Sequence, residues 1–165
     1  MKRVILTTIV AFLLCSNISA QKNGSFELGG TLGYDFGLKS HQGGLFNFQP
    51  EIGKYFSDQF YLGVGTGIVT DDKFDSQMLP VFARGEFDFP VTEKLTPFFS
   101  LQAGYDFGTH GNGSIRINPA VGIKLPLSSK ADFNLSFGYT RFKTTRNGSN
   151  STDYLGFKTG VSFKL

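Results

Sequence analysis

Apolar and polar residues alternate with a period of two from Ser25 to Leu165, in eight segments of 10 to 13 residues. The apolar positions run from Phe26 to Phe36, Phe46 to Phe56, Phe60 to Ile68 and Leu79 to Phe89. They continue from Leu95 to Phe107, Ile115 to Leu125, Phe133 to Tyr139 and Leu155 to Leu165. Between segments the connections alternate in length. Ser57–Gln59, Val91–Lys94 and Leu127–Lys130 read as tight turns, whereas Leu38–Gly44, Thr70–Gln77, Gly108–Ser114 and Thr144–Thr152 are longer and rich in Gly, Ser, Asn, Asp and Thr. This rhythm predicts an all-β fold, an eight-stranded antiparallel up-and-down barrel. The passage Gly33-Tyr34-Asp35-Phe36-Gly37 recurs as Gly104-Tyr105-Asp106-Phe107-Gly108, each at a strand end before a long loop. It reads as similarity at the level of one hairpin.

The second face of each strand decides which side is inside. It carries Gly29, Gly33, Gly53, Gly63, Gly65, Gly67, Gly104, Gly122, Gly138, Gly156 and Gly160, interleaved with Glu27, Asp35, Glu51, Arg84, Glu86, Asp88, Asp106, Arg116, Lys124, Lys158 and Lys164. A water-facing strand position favours Thr, Lys, Glu or Arg, because Gly there covers nothing. Gly alternating with large charges fits a narrow lumen that side chains must fill. The opposite face holds 14 Phe, too much bulk for such a lumen, so we expect it to face lipid in a transmembrane barrel. Pro50 and Pro119 fall mid-strand, where each removes a backbone donor that hydrocarbon does not replace; this pulls against the lipid-facing reading, and a bulge could absorb them.

The first twenty residues read differently. Lys2 and Arg3 precede an apolar run from Val4 to Cys15, and Ser16 to Ala20 offers a small-residue exit, so residues 1–20 are expected to be a cleaved signal peptide and 21–165 the barrel domain. Loss of the leader removes the single Cys and leaves 14 basic against 13 acidic residues. Disulfides and Cys-metal chemistry are thereby excluded for the mature chain, and bulk charge gives no reason to expect nucleic acid.

Three passages resemble the small outer-membrane-barrel family, the eight-stranded OmpX-like and OmpA-transmembrane-like proteins of Gram-negative bacteria. They are Pro50 to Gly63, Pro119 to Tyr139, and the closing run Phe157 to Leu165. The resemblance implies an outer-membrane location reached by export, with both chain ends periplasmic and four longer loops outside. It implies a carboxy-terminal strand, carrying Phe157, Val161, Phe163 and Leu165, that the barrel-assembly machinery reads. The chain ends with that strand, so no peptidoglycan-binding domain is expected after it. Expected partners are outer-membrane lipid and lipopolysaccharide, with a host or surface partner through the loops, for a monomeric barrel without cofactor.

Candidate chemistry is sparse. The lumen charges Glu27, Glu51, Arg84, Glu86, Arg116, Lys124 and Lys158 are the most structured polar set. Near-balance of sign suggests cross-strand pairs that plug the interior, with an open ion path as the alternative. Lys39, Arg141, Lys143 and Arg146 gather at the loop rim, where they could meet lipopolysaccharide phosphates. His41 and His110 lie in loops near Asp71, Asp72 and Ser40, but no local motif matches the rim enzymes known among such barrels. We expect a structural or surface-interaction role (envelope integrity, adhesion or host-defence resistance) without catalysis. A soluble secreted barrel for a small apolar ligand and a narrow-pore or lipid-modifying barrel stay open.

Overall fold

The computed structural model describes residues 24–40, 42–108, 113–145 and 150–165. The leader read at residues 1–20, His41, His110 and Arg146 lie outside them. The alternation becomes nine strands: β1 (Phe26–Gly37), β2 (Leu45–Tyr55), β3 (Phe60–Thr66), β4 (Ile68–Asp71), β5 (Gln77–Asp88), β6 (Thr96–Gly108), β7 (Gly113–Ser128), β8 (Ala131–Thr144) and β9 (Ser151–Lys164). All pairings are antiparallel, and β1 pairs with both β2 and β9, so the sheet closes on itself. The third segment, expected as one strand, is broken at Gly67. Its halves β3 and β4 lie between the same neighbours, β2 and β5, and keep one register (Glu51 opposite Gly65, Phe48 opposite Ile68). They share one place in the wall, which therefore has eight strands.

The layering is inverted relative to a water-soluble protein. Among the described residues thirty large hydrophobic side chains are exposed and nine hydrophobic residues are buried, while charged and amide side chains fill the interior. Leu32 and Val64 are each 60% exposed, whereas Asp88 and Asp106 are at 0%. A wall strand of about 12 residues, rising ~3.3 Å each and tilted ~45°, spans about 28 Å and covers the ~25 Å apolar band of an outer membrane. Free energy favours this arrangement only where the belt meets hydrocarbon.

The prolines do not require bulges. Both sides of Pro119 keep the same β7–β8 register (Ile117 opposite Arg141, Ala120 opposite Gly138), which puts Pro119 against Tyr139. Asn118 Nδ2 donates to the Tyr139 carbonyl at 3.0 Å and to Thr140 Oγ1 at 2.8 Å, so a side-chain amide supplies the donor the pyrrolidine ring lacks. Pro50 and Pro80 flank the Gly67 break from β2 and β5, and Thr66 Oγ1 donates to the Pro80 carbonyl at 2.8 Å. The register shift in the β7–β8 pair lies instead between Pro126 and Ser128, at the short-turn mouth. There β7 runs on to Ser128, so the expected turn Leu127–Lys130 shrinks to residues 129–130. Leu95, expected on a strand, makes an isolated bridge with Thr92 before β6 begins.

The repeated Gly-Tyr-Asp-Phe-Gly passage builds the same local structure twice. Tyr34 pairs with Phe46 and Tyr105 with Ile115 across the sheet. Each tyrosine hydroxyl lies over the glycine two residues before that partner, Gly44 or Gly113, where a Cβ would collide with it. Phe36 and Phe107 turn outward edge-on to Tyr34 and Tyr105, at 4.7 and 4.8 Å between ring centroids, while Asp35 and Asp106 turn inward and are buried.

Inside, large residues stand opposite glycines on neighbouring strands: Arg84 opposite Gly63, Phe82 opposite Gly65 and Gly104, Phe98 opposite Gly122, Lys158 opposite Gly33, Asp35 opposite Gly156. A Cβ at Gly33 would sit 2.6 Å from Lys158 Cγ, and one at Gly65 would meet the Phe82 ring and lie 2.7 Å from the Pro50 carbonyl. Outward-facing Gly85, paired with Leu62 and Leu101, has nothing within 4 Å of such a position. Gly65→Leu should therefore abolish the folded, heat-modifiable band on a detergent gel, while Gly85→Leu should retain it.

Candidate functional site in the lumen and at the loop rim

Inward-facing positions on β2, β5 and β7 bring five of the charges expected on the inner face into one chain of contacts. Arg84 Nη1 meets Glu51 Oε1 at 2.8 Å, Arg84 Nη2 pairs with Glu86, and Glu86 in turn pairs with Lys124. Lys124 also reaches Asp88 at 3.2 Å and donates to Tyr55 Oη at 2.6 Å, and Tyr55 Oη donates to Asp88 Oδ2 at 2.8 Å. Aromatic rings complete the plug: Lys124 Nζ lies 5.3 Å from the Tyr55 ring centre and 5.6 Å from that of Phe98, and the Arg84 guanidinium 5.5 Å from Phe98. Every member is buried. Ions this dry are tolerated because each faces opposite charge, and the two cations also lie over aromatic ring faces.

The remaining expected charges take other places. Lys158, near mid-height, donates to Gln49 Oε1, Gln102 Oε1 and Asn118 Oδ1 at 3.1–3.4 Å, so three neutral amides cradle it. Arg116 approaches Asp106 at 3.7 Å and lies 5.3 Å from the Phe82 ring centre. Neither Asp106 carboxylate oxygen accepts a hydrogen bond from the described residues. Glu27 is buried towards the short-turn mouth, outside this chain of pairs. Lys164, also assigned to the lumen, is partly exposed and pairs with Asp132 at 3.0 Å.

Towards the loops lies an inward-facing apolar cluster of Leu45, Val69, Phe142 and Tyr154, with Met78 packed against it; Arg116 stands opposite Phe142 and Asp35 opposite Leu45. Phe142 and Tyr154 meet edge-to-face at 5.6 Å. Sequence reading placed none of these apolar residues inside, nor Tyr55, Tyr61, Phe82 and Phe98. Their parity along each strand could have placed them, since Phe82 is two residues from Arg84, Tyr154 four from Lys158 and Tyr55 four from Glu51.

At the rim, Lys39 Nζ donates to the Ser151 carbonyl at 2.8 Å, and Arg141 Nε pairs with Asp153 at 3.0 Å while remaining half exposed. Lys143 is exposed near the loop end of β8. These three lie around the start of β9. On that strand Phe157 and Phe163 are exposed, Val161 is half-buried, and the following Leu165 is exposed and donates its backbone N–H to the Phe26 carbonyl at 2.9 Å. No group of three or more His, Cys, Asp or Glu among the described residues is arranged to hold a metal ion.

A second rim feature went unread in the sequence. Asp72, in the turn after β4, accepts from Tyr34 Oη at 2.7 Å and from the Gly44 N–H at 2.7 Å. These two donors hold its carboxyl below the usual aspartate value, the tyrosine bond contributing most. A lowered value in the folded state means the tie is present at neutral pH and lost as pH falls through it.

No family model matches this chain, and no curated protein matches it. Solved structures do. Neisserial surface protein A (NspA) superposes with a TM-score of 0.64 at 14% identity, covering 86% of this chain and 96% of that one. OprG, an outer membrane protein of Pseudomonas aeruginosa, gives 0.63 at 14% identity over 90% and 99%. Ail, the attachment invasion locus protein of Yersinia pestis, gives 0.55 at 9% identity over 87% and 99%. The fold is that of the small eight-stranded outer-membrane β-barrels.

Two outcomes follow from the site geometry. Glu86→Gln leaves Arg84 and Lys124 without their shared carboxylate and should cost about 3–5 kcal/mol, read by urea unfolding in lipid vesicles. The Gly44 amide NMR shift should titrate with a midpoint below about 3.9, and Tyr34→Phe should raise that midpoint.

Proposed function

We propose that the chain is an integral outer-membrane barrel with a structural or surface-interaction role, such as envelope integrity, adhesion or host-defence resistance. In this reading its lumen does not conduct and it carries out no catalysis. The observation that supports it best is the double closure of the interior. The ion and aromatic plug of Glu51, Arg84, Glu86, Lys124, Tyr55 and Phe98 occupies the short-turn side, and the apolar cluster of Leu45, Val69, Phe142 and Tyr154 occupies the loop side. An ion in transit would have to break paired charges and then pass a level filled by these apolar side chains together with buried Asp35, Arg116 and Asp106.

Function then falls to the outer surface. The belt serves as lipid contact, and Lys39, Arg141, Lys143 and Arg146 would meet lipopolysaccharide phosphates at the rim. Phe157, Val161, Phe163 and Leu165 would serve as the strand read during insertion, after export on the leader at residues 1–20. A soluble ligand-binding barrel is disfavoured by the thirty exposed apolar side chains, which water would not tolerate.

Cell fractionation should place the protein in the outer membrane, and planar bilayers containing the purified barrel should show no current above background. Sustained single-channel currents would overturn the closed lumen, and recovery as a detergent-free soluble monomer would overturn the membrane assignment.

A further inference from the structure

The turn between β4 and β5 contains the single non-glycine residue with positive φ among the described residues, Phe74 at 59°. A bulky side chain rarely adopts this conformation, so surrounding contacts must enforce it. They are present. Asp71 Oδ1 accepts the backbone N–H groups of Asp75 and Ser76 at 2.9 and 3.3 Å, and the Asp71 carbonyl accepts that of Phe74 at 3.0 Å. Asp72 is fastened in turn to Tyr34 and Gly44.

The ring so placed stacks parallel to Phe46, 6.1 Å between centroids and 8° between planes, and is 65% exposed. Phe46 belongs to the outward belt and lies edge-on to Tyr34. Beside it an apolar groove of about 670 Å³ is lined by Leu32, Phe48, Ile68, Leu135 and Phe157. Asp72, Lys73 and Asp75 surround Phe74 in the chain and are all exposed. One aromatic continuous with the belt, flanked by charges, matches the composition of a membrane–water boundary.

We propose that this turn is an interfacial anchor: Phe74 enters the lipid leaflet at the loop mouth, at the boundary between headgroups and acyl chains, while Asp72, Lys73 and Asp75 stay among the headgroups. The occupant of the surface is lipid, because the ring extends the belt's own face and the strained backbone holds it there. The proposal rests on the membrane reading above.

The chain contains no Trp, so a single substitution reports alone. Phe74→Trp and, separately, Phe48→Trp in mid-belt would be reconstituted in phosphatidylcholine vesicles carrying bromine at shallow or deep acyl positions, after gel migration shows both folded. The expected result is blue-shifted emission from both, with the Phe74→Trp indole quenched most by shallow bromine and the Phe48→Trp indole most by deep bromine. Asp72→Ala in the Phe74→Trp background should weaken the shallow quenching by releasing the turn. A water-like, unquenched Phe74→Trp beside a quenched Phe48→Trp overturns the anchor alone. A blue-shifted but unquenched indole at 74 means that a protein surface covers it, which also overturns the lipid assignment. Absence of quenching at both positions overturns the membrane reading itself.

Discussion

Volume inside a closed eight-stranded wall is the constraint on which the rest of the structure depends. The interior cannot hold a large side chain at every inward position, so Arg84, Phe82, Phe98 and Lys158 each stand opposite glycine on one neighbouring strand. That pairing fixes register, because sliding one strand by a single residue would turn its charges into the belt and its phenyl rings inward. The inward charges can then be dry, since the glycines let their partners approach closely. Lipid-facing phenyl groups and a buried salt-bridge chain are two results of one packing rule.

Two kinds of closure follow from where the large inward residues fall. On the short-turn side, rings and ions interleave, so Lys124 contacts Glu86, Asp88, Tyr55 and Phe98 together. On the loop side, Leu45, Val69, Phe142 and Tyr154 form an apolar cluster interrupted by buried Asp35 and Arg116, which stand opposite Leu45 and Phe142. Between them Lys158 is held by amides alone, and beside the apolar cluster Arg116 and Asp106 are loosely matched. Polar matching is thus graded along the axis, tight at one end and sparse above mid-height.

The wall was legible in the sequence because period-two alternation maps directly onto two faces, and every charge expected in the lumen except Lys164 is buried there. The inward-facing aromatic residues were harder to read. Phe82, Phe98 and Phe142 have the same chemistry as the belt phenylalanines, and only their phase relative to Arg84, Gln102 and Thr140 distinguishes them. Asn118 was invisible for a different reason: nothing local reveals that an amide will stand in for the donor missing at Pro119. The Asp72 tie joins residues 38 apart and arises from loop packing, which alternation does not encode.

The break at Gly67 gives the wall an uneven mechanical character. Pro50, Gly67 and Pro80 sit at neighbouring places on three successive wall positions, so backbone rungs are missing side by side, whereas β1–β9 and β5–β6 run without interruption. Elastic compliance is concentrated there. When the surrounding bilayer thickens or thins, that flank of the cylinder takes up the distortion and the seam around β9 stays stiff.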